Sequence, residues 1–164
     1  YFLVWGWITF VACTAQYLLL TVVKTDQHYQ VWWLTMVGVV FSVWQGMKDG
    51  KKTRVRTYIG DSMRYLWTGM GISFFVLSMI LTRIGWGSPV FPFFIMLYGL
   101  GTFVSGSFLR FRPLIAGGII AWVLAIGAVY FSYADQLLFG AAAILFSYII
   151  PAYMLRRVEK TTDQ

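Results

Sequence analysis

Charge is what this sequence has least of: Asp, Glu, Lys and Arg make up 12% of its 164 residues, about half the share usual in soluble domains. Acidic residues are the scarcer sign, 6 against 13 basic. There is one cysteine, Cys13, so no intrachain disulfide can form, and its place in an apolar run says nothing about redox compartment. There is also one histidine, His28. One His and one Cys cannot build an ordinary zinc or haem site, so neither a metal nor another cofactor is expected.

Apolar side chains fill the space: 59% of residues are hydrophobic and 20% aromatic. A soluble domain of this size has too much surface to hide such a share. The charges cluster in short patches between long apolar runs, the pattern of an all-α polytopic membrane protein. A basic soluble surface would carry its cations throughout the fold, and here they flank apolar spans, which argues against nucleic acid as a partner. The chain opens at Tyr1 inside a span, without an initiator Met. Further sequence is therefore expected before it, and this opening is too long and too aromatic for a signal-peptide core.

The runs predict a six-transmembrane-helix antiparallel bundle forming a single domain over 1–164, with spans near 1–23, 30–47, 63–82, 89–109, 113–132 and 136–155. Trp32, Trp33 and Trp44 suit the edges of the second span. Pro89 and Pro113 suit helix starts, where a missing N–H costs nothing. Ala134 and Asp135 are expected to form the last turn. The longest polar interruption is KDGKKTRVRTYIGDSMR, residues 48–64, and it sets the orientation. With that link inside, 11 of the 13 basic residues fall on one side, in 48–64, in 110–112 and in 156–160; only Lys24 and Arg83 fall on the other. The positive-inside rule then puts both chain ends in the cytoplasm.

Residues 1–13 align without gaps over 94–106, pairing Gly6 with Gly99 and Thr9-Phe10-Val11 with Thr102-Phe103-Val104. Three spans per half would make this a 3+3 inverted repeat. The same segments place Gly6, Thr9, Cys13 and Gln16 on one helical face, and Gly99, Thr102 and Gly106 on another. Gly117, Ala121, Ala125 and Ala128 form a third stripe in span five. Small residues at this spacing let helix backbones approach closely in lipid; the alternative is a substrate path lined by Gln16 and the threonines.

No Asp, Glu, Lys, Arg or His falls mid-span, so proton relays, voltage sensing and charge-coupled transport lose support, and no catalytic residue is singled out. His28 beside Asp26 reads as a solvated link residue. Asp49, Asp61 and Glu159 sit among cations at helix borders and read as topology-setting charge. LYGLGT, residues 97–102, matches a potassium-filter loop in letters but continues as apolar helix. Lys51, Lys52, Arg54 and Arg56 either fix topology alone or hold anionic lipid or a partner at the cytoplasmic leaflet.

The segments YFLVWGW, VRTY, FLRFRPLIAGGIIAW and IIPAYMLRR resemble an uncharacterised family of small six-span bacterial inner-membrane proteins. The resemblance covers nearly the whole chain and implies a bacterial inner (cytoplasmic) membrane location, with a polar segment before the first span and no assigned activity. Two functions fit the residues. One is a non-enzymatic structural or accessory membrane subunit, alone in lipid, as a homo-oligomer or within a larger complex. The other is a small translocator or channel for a neutral or hydrophobic solute.

Overall fold

The computed structural model describes residues 2–25, 27–52, 58–84 and 90–155. Among the described residues the regular structure is entirely helical. Helix α1, Phe2–Leu18, runs on through a π-helical turn at Leu19–Val23. Lys24 ends it in the left-handed region (φ 51°), its N–H donating to the Leu19 carbonyl. A 3-10 turn at His28–Trp32 leads into α2, Trp33–Lys52. Then come α3 (Tyr58–Ile84), α4 (Phe91–Phe108) and α5 (Arg112–Ala128). The last helix, α6, starts as Tyr133–Ile144, passes through a π-helical turn at Leu145–Ile149 and stays helical to residue 155.

Four helical stretches are long and apolar enough to cross a membrane: Leu3–Val23, Tyr58–Arg83, Phe91–Phe108 and Tyr133–Leu155. The apolar parts of the second and fifth helices, Gln30–Ser42 and Arg112–Ala128, are shorter. At 17 residues α5 rises about 26 Å, a few ångström less than a hydrocarbon core of about 30 Å.

Two boundaries differ from the sequence expectation. The basic stretch is not one long link, because α2 continues to Lys52 and α3 begins at Tyr58. Lys, Gln and Met are good helix formers and cations suit a helix C-terminus, so the polar residues extend α2. The second difference is that Ala134 and Asp135 belong to the first turn of α6. Ser132 caps that turn: its hydroxyl accepts from the Asp135 N–H at 3.4 Å and donates to the Asp135 carboxylate at 2.7 Å. The Ser-x-x-Asp pattern is a helix start, and α5 accordingly ends at Ala128, with a turn in which the Tyr130 N–H reaches the Gly127 carbonyl.

Side-chain register fixes the helix directions. Trp5 Nε1 donates to Ser42 Oγ at 2.7 Å while Gly38 sits against Ile8, so α1 and α2 are antiparallel. Phe74 stacks on Phe94 at 5.9 Å and Gly101 meets Trp67 and Met70, which does the same for α3 and α4. Gly106 meets Ile115 and Gly99 meets Trp122, an antiparallel α4–α5 hairpin. Gly117 on Ser147 and Gly127 on Phe139 repeat the relation for α5 and α6, and Gly6 under Tyr148 closes α6 back onto α1. The core is thus built by α1, α4, α5 and α6, with α2 flanking α1 and α3 flanking α4.

The flanking helices leave apolar surface uncovered. Val37 and Val40 of α2 are 64% and 69% exposed, and Ile72 and Phe75 of α3 are 60% and 66% exposed. In water such contiguous surface would drive association. In hydrocarbon it is at no disadvantage, and helices that satisfy their own backbone hydrogen bonds are the structures lipid permits.

Candidate functional site

The polar stripe of α1 is the feature with most chemistry in it, and α6 covers it. Cys13 is buried, with its Sγ 3.6 Å from where a Cβ on Gly140 would stand. Gly6 lies under the Tyr148 ring: a Cβ there would come within 2.9 Å of Tyr148 Cδ1 and 3.0 Å of Ile149 Cγ1. Thr9 donates its hydroxyl to the Trp5 carbonyl of its own helix at 2.9 Å. Gln16 is 1% exposed. Its Oε1 accepts from Trp32 Nε1 at 2.7 Å and its Nε2 donates to the Tyr133 hydroxyl at 3.3 Å.

That amide ties three parts of the chain together at one end of the bundle. Trp32 comes from the turn before α2, Tyr133 from the first turn of α6, and Phe91 from the start of α4 lies against both rings, with centroids 6.2 and 5.4 Å away. A carboxamide offers a donor and an acceptor without charge, which suits a buried junction that lipid or core must surround.

The other two stripes are seams as well. In α4, Gly106 approaches the backbone of Ile115, where an added Cβ would stand 2.7 Å from its nitrogen, and Gly99 faces Trp122 and Ala121. Thr102 and Ser105, both fully buried, donate to the carbonyls four residues back, Tyr98 and Gly101. Hydroxyls bonded within their own helix can lie against a neighbour without needing water. Ala121 is fully buried and Gly117 meets the backbone of Ser147.

The approach at Gly117 has a cause in α6. Pro151 has no N–H to give the Ser147 carbonyl, and its ring would crowd that oxygen in a regular α-helix. The chain takes a π-helical turn instead, with the Ile150 N–H bonded to the Leu145 carbonyl. Ser147, released from the usual ladder, meets α5 at the one residue type with no side chain to obstruct it.

Sequence reasoning passed over an aromatic cluster. Trp67, Tyr98 and Tyr148 meet edge to face, with centroids 6.2 Å (Trp67–Tyr98), 5.8 Å (Trp67–Tyr148) and 5.2 Å (Tyr98–Tyr148) apart. They join α3, α4 and α6, and Thr9 of α1 lies beside the Tyr98 hydroxyl. Tyr and Trp in an apolar chain usually mark the membrane interface. Their positions well inside α3, α4 and α6 were the available signal that these three do something else.

Lys51 and Lys52 stand in the last turn of α2. Arg54 and Arg56, like Arg156, Arg157 and Lys160, lie outside the described residues. Among the described residues no three His, Cys, Asp or Glu side chains gather.

No family model, curated protein or solved structure matches this chain. What the site can do is therefore read from its geometry alone. The stripes bring small and polar groups together as helix seams; Thr9, Gln16, Thr102 and Ser105 are hydrogen-bonded there, while the buried Ser147 Oγ has no partner among the described residues.

Burial of Cys13 gives a direct check. In the folded protein in detergent, Cys13 is expected to resist a maleimide reagent and to react on denaturation. Native labelling at the rate of an exposed thiol would contradict the packing of α1 on α6.

Proposed function

We propose that this protein is a non-enzymatic integral membrane subunit that crosses the bilayer six times, with both described ends in the cytoplasm, and takes its place in an assembly of its own copies or of a larger complex. The observation that carries this reading is the division of labour among the helices. Glycine-to-backbone seams close α4, α5 and α6 on one another, whereas α2 and α3 each meet the core along one stripe and leave most of their apolar surface free. A soluble enzyme has no use for such helices; a membrane subunit meets lipid and neighbours through them.

Six crossings follow if the shorter apolar stretches also span. Val129 and Phe131, apolar and exposed, carry the apolar stretch into the turn past α5, and α2 is helical well past Ser42. The alternating helix directions agree with the one-sided distribution of basic residues, which favours a bacterial inner membrane with positive links inside. The resemblance to small six-span bacterial proteins is compatible with this placement.

A passage for neutral solutes gains less. The residues that would line it, Thr9, Gln16 and Thr102, are bonded within the core. A 3+3 inverted repeat finds no support in the glycine neighbours, since Gly6 packs under α6 and Gly99 against α5.

Two measurements on the full chain separate the readings. Mass determination in native-like nanodiscs is expected to give a species heavier than one chain, and proteoliposomes are expected to pass glycerol no faster than empty vesicles. A monomer that accelerates glycerol entry would replace the subunit reading with the translocator.

A further inference from the structure

The outer flank of α3 carries two adjoining apolar clefts. One, of about 340 Å³, runs between α3 and α4 with Ile72, Ser73 and Leu77 on one wall and Phe93 and Met96 on the other. The second, of about 360 Å³, is a shallow depression formed by α3 alone and includes Phe75, Met79 and Arg83. Val76 and Ile80 line both, so the two adjoin as one shallow groove, open along its length. Beyond its inner end, Gly69 has nothing within 4 Å of where a Cβ would stand, unlike the glycines of the core seams.

We infer that this groove holds an acyl chain of an anionic phospholipid, with the lipid phosphate at Arg83. The inference rests on the membrane reading above and adds a ligand class to it. Length supports it first. From Ile72 to Arg83 the helix rises about 17 Å, close to one leaflet's share, about 15 Å, of the hydrocarbon core. A groove that spans one leaflet thus ends at a cation at headgroup depth. Charge supports it second. The ion pair among the described residues is Arg64 with Asp61, at the far end of α3, and no described carboxylate pairs with Arg83. A guanidinium over an apolar groove complements a phosphodiester with hydrocarbon below it.

A second copy of the chain fits this place poorly. A two-fold axis along the membrane normal through α3 would bring Arg83 against its own counterpart, and like charges set against each other disfavour association.

The probes are phosphatidylglycerol and phosphatidylcholine carrying the same photoactivatable acyl chain, mixed into nanodiscs with the full-length protein, with cross-linked peptides read by mass spectrometry. Phosphatidylglycerol is expected to label residues 72–80 and 93–97 about five-fold more than phosphatidylcholine, the factor one cation contributes at a lipid surface. Arg83→Gln is expected to erase that preference, Arg83→Lys to keep it, and Val76→Trp, which fills the groove, to remove labelling there by both probes. Arg83→Gln faces outward and leaves the core intact, so an unchanged thermal midpoint accompanies the lost preference. Equal labelling by the two lipids in the wild type would overturn the inference. So would a Val76→Cys variant that cross-links two chains in high yield, which would give the groove to a second copy. Labelling of α2 near Val37 and Val40 by both probes keeps the membrane reading distinct: its presence with no groove preference sinks the inference alone, and its absence sinks both.

Discussion

Replacing Gly117 by leucine is expected to cost the protein more than about 3 kcal/mol, the upper part of the range for overpacking, and to separate α5 from α6. The reason lies in what the new atoms would meet. A Cβ at Gly117 would stand 2.6 Å from the Ser147 carbonyl oxygen and 2.7 Å from its Cα, and both are backbone atoms that no rotamer change can move. Pro151 sharpens the effect, because the π-helical turn it accompanies holds the Ser147 backbone against α5. Gly69→Ala is the matched control. With open space around that Cβ, alanine should raise stability by about 0.5–1 kcal/mol through its better helix propensity alone. Thermal midpoints from tryptophan fluorescence in one detergent should therefore rank Gly117→Leu well below wild type and Gly69→Ala at or above it. Equal midpoints for the two variants would mean that the α5–α6 seam is not as close as described.

The second large effect is expected at Gln16. Leucine there removes the acceptor of the Trp32 indole and the donor to the Tyr133 hydroxyl, and leaving buried polar groups unmatched costs about 1–3 kcal/mol. Trp32→Phe removes the same bond from its donor side. The double variant Gln16→Leu with Trp32→Phe should lose less than the two single losses added together, since each single change already breaks the shared bond. A coupling of about 0.6–1.7 kcal/mol matches what such bonds contribute inside membrane proteins. Strict additivity would show that the bond contributes nothing, and that Trp32 is the interfacial anchor its sequence position suggested.

Much of this architecture was legible before any coordinates. Gly6, Thr9, Cys13 and Gln16 recur at helical spacing; in the structure Gly6, Cys13 and Gln16 are buried and Thr9 is half-buried. The partner of that face was not legible. Periodicity states which residues share a side of a helix and nothing about which helix arrives there, so Gly6 under Tyr148 could not be read from the stripe. The helical ends of the stretch 48–64, up to Lys52 and from Tyr58, were overlooked for a related reason: hydropathy reports solvation, and a polar helix end and a polar loop look alike to it. Ser132 and Asp135 were different, because their spacing is a helix-start signal that was passed over in favour of a turn at Ala134 and Asp135. Trp67, Tyr98 and Tyr148 were hidden by their chemistry. An amphipathic ring serves equally at an interface or in a core that offers its polar atom company, and only tertiary packing distinguishes the two.

The threading of the chain is the claim on which the subunit reading, the lipid groove and the placement of the stripes all rest. Single cysteines in a Cys13→Ala background, probed in intact bacterial cells with a membrane-impermeant maleimide, test it most directly. Gln27→Cys and Tyr130→Cys, in the links after α1 and α5, are expected to react from outside. Thr53→Cys, in the basic link outside the described residues, is expected to react only after the membrane is permeabilised. Labelling in the opposite sense would invert the orientation, and labelling of all three positions in intact cells would contradict a chain that alternates across the bilayer.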